Sequence, residues 1–261
     1  FLDYDGTLAA IVDQPERAFI TDECRECLRS LAAAFPVGIV SGRSNDKLAA
    51  FLHLPQLWLA GSHGVHIAGP HGEQVGSPDP AAMVGSDGLA ALDAARAALD
   101  EALSGIPGYL SEHNTYCISA HYRMVAEAEH ARVRESVGKV LAQHVGHLVH
   151  KEGKMVHELR PAIAWDKGKA VEWLLRTLNE RRAATMDGDA SAGLLPVYLG
   201  DDVADEEAFK AVARCGGVGI KVADGPVSST ATAATFSLSQ PEVPSFLHSF
   251  QPAALGKGTN S

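Results

Sequence analysis

Two aspartates separated by a single residue stand near the start of the chain, in the run Asp3-Tyr4-Asp5-Gly6-Thr7. Where such a pair follows a strand, a side-chain oxygen and a main-chain oxygen can converge on one hard cation. The first carboxylate can then attack phosphorus, and the second can give a proton to the leaving oxygen and later take one from water. The run alone leaves a second interpretation open, an acidic turn in which one aspartate caps the backbone.

A second polar run, Ser41-Gly42-Arg43-Ser44, follows the apolar residues 37–40 and opens a helical pattern. A hydroxyl group and free amides at a helix N-terminus form an anion site. The alternative is that Ser44 is only a helix N-cap.

Charged residues recur in the last third of the chain. Lys167 opens another helical pattern, where its amine could hold a phosphate and neutralise a nucleophile. The alternative for Lys167 is a charged first helical turn. Asp201, Asp202 and Asp205 follow an apolar run, and three carboxylates so close together repel one another unless a cation binds. The alternative for the aspartates is a solvated acidic loop.

The elements that position these motifs alternate between short apolar runs and helical patterns. Apolar runs at 37–40, 57–60, 196–199 and 218–220 predict strands, and the stretches between them predict helices. This alternation is typical of a doubly wound, Rossmann-like parallel sheet, in which ligands bind beyond the carboxyl ends of the strands. Each polar motif falls at such a position.

The middle of the chain has a different pattern. Residues 88–103 and 126–144 predict helices, and the alternating side chains of residues 116–122 predict a half-buried antiparallel strand. We therefore predict an α+β cap inserted into the parallel core. The predicted division is core 1–77, cap 78–158, core 159–250 and a disordered tail 251–261.

The composition limits the classes of partner. A formal net charge of -10 argues against nucleic acid and anionic membranes, which both require a basic surface. No apolar run approaches the ~18–20 residues of a membrane span. An acidic protein that binds a phosphorylated substrate needs a locally cationic pocket or a bound cation. Phe1 and Leu2 resemble the end of a strand, so we expect the chain to be a piece of a longer protein, whose targeting signal would lie upstream.

The pair Cys24 and Cys27 has the C-x-x-C spacing of zinc and redox sites, but no second pair completes a zinc site. Leu28 and Leu31 continue the same helical face, so core packing is the favoured interpretation. Free cysteines are typical of a reducing compartment, and we expect a cytoplasmic protein.

Together, and in this order, the four motifs resemble those of the haloacid dehalogenase superfamily. The resemblance implies an α/β core with Asp3 as nucleophile and Mg²⁺ ligand, and Asp5 as the acid/base that also offers its carbonyl oxygen. It further implies Mg²⁺ ligation by Asp201 with support from Asp202 and Asp205, and phosphate binding by Ser41, Gly42 and Lys167.

More of the chain resembles the trehalose-6-phosphate phosphatases. The similar stretches are 2–8, 40–44, 60–64, 121–123, 158–161, 165–169 and 198–202, and the resemblance extends from Leu2 to about Phe250. It implies hydrolysis of trehalose 6-phosphate as the last step of trehalose biosynthesis. It implies that Glu112, Arg123, Lys154 and Glu158 of the cap contact the sugar. It also implies that the substrate pocket is lined from the core side by Arg43, Gly61, Ser62, His63 and Gly64.

Lys154 and Glu158 are four residues apart, so on a single strand they would share one face. Two residues depart from the family pattern. Asn114 stands where the family often has a basic residue, which weakens or alters one sugar contact, and Ala204 stands where it usually has threonine.

Two alternative functions stay open on the sequence. One is another sugar-phosphate phosphatase, acting on sucrose 6-phosphate or a glycosyl-phosphoglycerate. The other is a non-catalytic regulatory domain, fused to or associated with a trehalose-phosphate synthase.

Overall fold

A computed structural model describes residues 1–75, 80–185, 193–223 and 232–250 of the chain, so the predicted tail 251–261 lies outside the described residues. The α-helices are α1 (Asp22–Ala34), α2 (Asn45–Leu52), α3 (Pro80–Leu103), α4 (His130–Gln143), α5 (Lys167–Thr185), α6 (Glu206–Arg214) and α7 (Val243–His248). The strands are β1 (Gly38–Val40), β2 (Trp58–Gly61), β3 (His66–Ala68), β4 (Leu110–Asn114), β5 (Cys117–His121), β6 (Leu148–Gly153), β7 (Val156–Pro161), β8 (Val197–Gly200), β9 (Val218–Val222) and β10 (Phe236–Leu238).

The core is a mainly parallel sheet centred on the first residues of the chain. Leu2 forms parallel bridges with Ile39 of β1 on one side and Leu199 of β8 on the other. β2 pairs with β1, and β9 and β10 continue the sheet beyond β8, all in parallel. The carboxyl ends of the central segment, β1 and β8 therefore meet at one edge, and each is followed by one of the polar motifs.

Apolar residues cover both faces of this sheet, as expected for a doubly wound fold. On one face Leu2 and Ile39 pack with Leu28 of α1 and with residues of α2 and α7. On the other face Val40 and Tyr198 pack with residues of α5 and α6. The central strands β1, β2 and β8 are apolar because both of their faces are covered. The predicted α/β class is confirmed.

A second, antiparallel sheet with strand order β4-β5-β7-β6 forms a separate unit together with α3 and α4. This unit, residues 80–161, is called the cap below. Ile118 and Ala120 of β5 face the two helices in one apolar cluster with residues of α3 and α4. The alternate residues of β5 are polar and face the core, which is the arrangement that period-two alternation predicts.

Some local features differ from the sequence-based expectations. β3 is antiparallel to β2, so the core sheet is not wholly parallel. Helix α3 begins before the predicted helix and is interrupted at Gly85, which has φ 72° and ψ 165°. The last cap strand, β7, continues to Pro161.

The expectation that Lys154 and Glu158 share one strand face is wrong. β6 ends at Gly153 and β7 begins at Val156, so Lys154 lies in the turn between them while Glu158 lies within β7. The turn is made by Met155, whose φ of 65° reverses the chain. The strand-like runs 147–150 and 154–159 predict a break at residues 151–153. The turn lies slightly later, at residues 154–155, and its positive φ falls on Met155 rather than on the preceding Gly153.

Cys24 and Cys27 are free thiols buried in the packing of α1, so the core-packing interpretation is confirmed. Among residues 1–75, 80–185, 193–223 and 232–250, no helix combines the length and hydropathy that crossing a membrane requires.

Candidate active site

A cavity lies between the carboxyl ends of the core strands and the polar face of the cap sheet. From the core it is lined by Asp3, Asp5, Ser41, Gly42, Arg43, His63, Lys167, Asp201 and Asp202, and from the cap by residues that include Glu112, Arg123, Lys154 and Glu158. The four motifs, which are up to about 200 residues apart in the sequence, are therefore brought together at one place.

The floor of the cavity is a buried network around Lys167. Its Nζ donates to Asp3 Oδ1 at 2.7 Å and to Asp205 Oδ1 at 2.8 Å. Tyr198 donates its hydroxyl proton to Asp205 Oδ1 at 2.6 Å, and the Asp202 amide donates to Asp205 Oδ2 at 2.9 Å. Asp205 thus uses both carboxylate oxygens inside the protein, and its function is to hold Lys167 in place.

The pKa values in this network follow from burial and from the ion pairs. Burial raises the pKa of Asp3 well above its usual range, and the charges of Asp205 and Asp201 add to that shift, although Lys167 opposes it. Burial would also raise the pKa of Asp205, but Lys167 and the Tyr198 hydroxyl outweigh this and lower it. The proton affinity of Asp3 is therefore the higher of the two, and a further cation beside Asp3 would favour its ionised form.

Asp201 lies directly after β8 and approaches the first motif closely. A Cβ atom on Gly6 would lie 2.2 Å from Asp201 Oδ2, and Gly6 has φ 84°, so only glycine fits this position. Lys154 of the cap donates to Asp201 Oδ2 at 2.6 Å. The other oxygen, Oδ1, is buried and has no hydrogen-bond partner. Burial raises the pKa of Asp201, and the ion pair with Lys154 only partly opposes this.

These residues fit a hard divalent cation. Carboxylate oxygens of Asp3, Asp201 and Asp205 lie within 4.8 Å of one another. Oxygen donors are the ligands that Mg²⁺ prefers, and the orphaned Asp201 Oδ1 is a buried acceptor that a cation would satisfy. Of the three, Asp3 and Asp201 are better placed to act as ligands, since Asp205 is saturated by Lys167, Tyr198 and Asp202.

The second motif supplies an anchor for Asp5. Arg43 donates through Nε to Asp5 Oδ2 at 2.7 Å and through Nη2 to Asp5 Oδ1 at 2.6 Å, and also to the Pro15 carbonyl oxygen. The guanidinium stacks over the rings of Tyr4 and Phe51. Such a bidentate pair, in which Arg43 is buried and Asp5 is partly exposed, fixes the orientation of the carboxyl group. The resemblance places Arg43 in the lining of the substrate pocket, where it lies, and its guanidinium donors are directed at Asp5.

Ser41 is buried at the end of β1 and its Oγ accepts a hydrogen bond from the Arg43 amide at 3.2 Å.

The loop after β2, residues 61–64, has consecutive positive φ angles of 50°, 57° and 86° at Ser62, His63 and Gly64. Of its residues only His63 lines the cavity, and its Nε2 lies 3.1 Å from Glu158 of the cap. Gly61, Ser62 and Gly64 form the turn that places His63.

The cap contributes two carboxylates, of which Glu112 is buried and Glu158 is partly buried. Glu112 contacts Lys47 and His121, and Glu158 contacts His63 and Arg160. Burial opposes the ionisation of both carboxyl groups, but these partners outweigh it and lower the pKa of each to about 2. The cap thus presents ionised hydrogen-bond acceptors to the cavity.

Arg123 fixes the turn that carries Lys154, because it donates a hydrogen bond to the Lys154 carbonyl oxygen at 2.7 Å.

Sequence reasoning missed several residues of this site. Tyr198 looked like an ordinary strand residue, and its hydrogen bond to Asp205 depends on tertiary contact alone. His121 and Ser119 line the cavity because they alternate with the apolar residues of β5, a signal that the period-two pattern did contain. Lys151, on β6, lines the cavity as well.

The comparisons with known proteins agree with one another. The family model described as trehalose-phosphatase matches residues 1–242. A trehalose 6-phosphate phosphatase of Zea mays is 42% identical over 256 residues, which are 95% of this chain and 68% of the relative. A protein of Arabidopsis thaliana named as a probable trehalose-phosphate phosphatase is 40% identical over 252 residues, which are 95% of this chain and 65% of the relative. The chain thus spans about two thirds of these relatives.

Among solved structures, the C-terminal domain of the trehalose-6-phosphate phosphatase of C. albicans has a TM-score of 0.75 at 23% identity, with 94% of this chain and 89% of that chain covered. A haloacid dehalogenase-like hydrolase from Bacteroides thetaiotaomicron has a TM-score of 0.63 at 16% identity, with 95% and 97% covered. At these identities the two structures indicate a shared fold, which is the haloacid dehalogenase fold.

Proposed function

The chain belongs to the trehalose-phosphatase family, and we propose that it hydrolyses trehalose 6-phosphate to trehalose and inorganic phosphate. One observation carries the proposal. The buried Asp3–Lys167–Asp205 network and the carboxylates of the cap, Glu112 and Glu158, face the same cavity. The first set suits a phosphoryl group and the second suits sugar hydroxyls, which donate to ionised carboxylates.

In the proposed reaction Asp3 is the nucleophile. Its carboxylate oxygen forms a bond to phosphorus while the bond from phosphorus to the sugar oxygen breaks. Asp5 gives its proton to that oxygen as trehalose leaves. The Asp5 carboxylate then takes a proton from water, whose oxygen attacks the aspartyl-phosphate, so phosphate leaves and Asp3 is regenerated. Ser41 and Lys167 bind the phosphoryl oxygens, and the Gly42 backbone lies beside them.

We propose Mg²⁺ as the cofactor, held by Asp3, Asp201 and the main-chain carbonyl of Asp5, with Asp202 and Asp205 supporting the site. When bound, the ion neutralises charge on the phosphoryl group and on the nucleophile. Within the chain, the orphaned Oδ1 of Asp201 and the raised pKa values of Asp3 and Asp201 support this assignment.

The sugar contacts are proposed for the residues that the family resemblance implies in the cap, with one modification. Asn114 lines the cavity, and its Oδ1 is buried without a hydrogen-bond partner. A buried orphan acceptor costs free energy unless a ligand donates to it. We infer that a sugar hydroxyl donates to Asn114 in place of the contact that a basic residue would make.

Phosphate release tests the proposed function directly. With Mg²⁺, we expect rapid release from trehalose 6-phosphate, much slower release from sucrose 6-phosphate and glucose 6-phosphate, and none with chelator. Faster turnover of sucrose 6-phosphate would assign a different sugar. Release from p-nitrophenyl phosphate alone would retain the phosphatase chemistry and reject the substrate. No phosphate release from any of these esters would favour the regulatory alternative.

The Arg43–Asp5 pair gives a second expectation. In Arg43→Gln the Asp5 carboxyl loses its bidentate partner, so kcat for trehalose 6-phosphate should fall, by up to the roughly 10²- to 10⁴-fold that acid catalysis contributes. The fall should be smaller for p-nitrophenyl phosphate, because nitrophenolate leaves without a proton. Steady-state kinetics on both esters measures this difference.

Arg181 provides a matched control for that experiment, since it forms an exposed bidentate pair with Glu73. Arg181→Gln should leave both rates unchanged. An equal loss on both esters in Arg43→Gln would contradict the positioning role and point to a direct contact with the phosphoryl group.

A further inference from the structure

A row of polar residues crosses the cap sheet on the face that meets the core. Glu112 of β4 is paired with Ser119 of β5, Ser119 with Glu158 of β7, and Glu158 with Lys151 of β6. All four line the cavity that contains Asp3. The row begins with a carboxylate paired to Lys47 and ends with an amine on an edge strand.

The amine of Lys151 differs from the other cations of the cavity in its partners. Lys167 is paired with Asp3 and Asp205, Arg43 with Asp5, and Lys154 with Asp201. Lys151 is half-buried, yet its amine makes no hydrogen bond or ion pair with any residue in the described part of the chain.

Lys151 lies beside Glu158 in the sheet, and its strand runs towards the phosphoryl end of the cavity. The strand that carries it ends at Gly153, where a Cβ atom would lie 3.7 Å from Asp202 Oδ2 on the core. Lys167, which contacts the nucleophile, is near enough to repel the Lys151 ammonium. Glu112, with its partners Lys47 and His121, lies three strands away at the other end of the row.

The electrostatic environment of the Lys151 amine favours the binding of an anion. Burial, followed by the charge of Arg160, lowers the pKa of Lys151. The carboxylates of Glu158 and Asp202 oppose this shift but do not cancel it. A half-buried ammonium near other cations is costly until an anion neutralises it. Sugar hydroxyls are neutral and do not supply that charge, whereas a phosphate monoester carries close to two negative charges at pH 7.

We propose that Lys151 is a further substrate-binding residue, whose ammonium donates to the phosphoryl group from the cap side of the cavity. The proposal rests on the proposed function, and it adds a contact beyond those of Ser41 and Lys167 in the core. The phosphoryl group then joins core and cap, so the cap is held closed by the anion that is to be hydrolysed.

Calorimetric titration in Mg²⁺ buffer tests the contact without using activity. Inorganic phosphate and trehalose are titrated separately into the wild type, Lys151→Met and Lys151→Arg. We expect Lys151→Met to weaken phosphate binding roughly tenfold to a hundredfold, the range for a hydrogen bond to a charged group. Lys151→Arg should retain most of the affinity, and trehalose binding should not change.

The control is Lys139→Met, an exposed cap lysine paired with Glu135, which should leave both affinities unchanged. Circular dichroism verifies that each variant is folded, and Lys151→Gln replaces Lys151→Met if the latter is not. Unchanged phosphate affinity, weakened trehalose binding instead, or no phosphate binding by the wild type would each overturn the proposal. If phosphate binds as expected but trehalose does not, the proposed sugar substrate fails while the Lys151 contact stands.

Discussion

Asp3→Asn is expected to lower turnover of trehalose 6-phosphate roughly 10⁴-fold or more while the protein stays folded. The amide cannot attack phosphorus, and loss of a nucleophile in other enzymes has effects of this size. The substitution is nearly isosteric, and Lys167 keeps its ion pair with Asp205. Phosphate release and thermal unfolding, measured on the same preparation, check the two parts of this expectation.

The stability of Asp3→Asn tests the electrostatics of the site. Because the pKa of Asp3 is raised in the folded protein, its charged form disfavours folding at neutral pH. In chelator we therefore expect a melting temperature at least equal to that of the wild type. In Mg²⁺ the wild type should gain more stability than the variant, since the variant lacks one proposed ligand.

Asp93→Asn is the matched control, because Asp93 is an exposed cap residue whose ion pair within the described part of the chain is with Arg96. It should change neither rate nor stability. Residual turnover in Asp3→Asn near the wild-type rate would refute the aspartyl-phosphate route.

The residues of the core site could be predicted because they depend on local sequence. Asp3, Ser41 and Asp201 each follow an apolar strand, and parallel strands bring their carboxyl ends together whatever the connections between them. Lys167 lies at the first residue of α5, and the start of this helix is at the same edge of the sheet. Spacing and element type therefore indicated these positions, and the roles of the residues came from the resemblance of the four motifs taken together.

The partners of these residues could not be predicted, because they depend on tertiary contacts. Nothing near Arg43 in the sequence indicates that its guanidinium is directed at Asp5. A break was expected at residues 151–153, whereas the turn lies at residues 154–155. Lys154 is therefore not on the strand of Glu158, and its amine contacts Asp201. Lys151 was missed for a related reason, since the face of an edge strand is fixed by its register with β7.

The contact between Lys154 and Asp201 also shows how the cap and the metal site are connected. Lys154 is the cap residue that reaches Asp201, and its amine takes one carboxylate oxygen while the other has no hydrogen-bond partner. A cation at Asp201 would compete with that amine for the same carboxylate. Metal binding at the proposed site is therefore expected to affect the contact that Lys154 of the cap makes with Asp201 of the core.

Lys167→Met is expected to cost both activity and stability, because it removes the one cation that contacts Asp3 and Asp205 in the described residues. Leaving a buried charge without its partner costs about 3–5 kcal/mol. In chelator at pH 8 the free energy of unfolding should fall by that amount, as measured by urea denaturation. Turnover should fall roughly 10²- to 10³-fold, as when a donor to the reacting oxygens is lost.

The pH dependence and a second substitution separate this cause from a simple packing defect. Without Lys167 the buried carboxyls of Asp3 and Asp205 should have pKa values above those of the unfolded chain. The stability of Lys167→Met should therefore rise as the pH falls from 8 to 5 and the folded protein takes up protons.

The double variant Lys167→Met/Asp205→Asn should recover part of the lost free energy of unfolding. The control Lys210→Met, at an exposed ion pair, should show none of these effects. A deficit that stays the same at both pH values and in the double variant would mean that lost packing, rather than uncompensated charge, destabilises the protein.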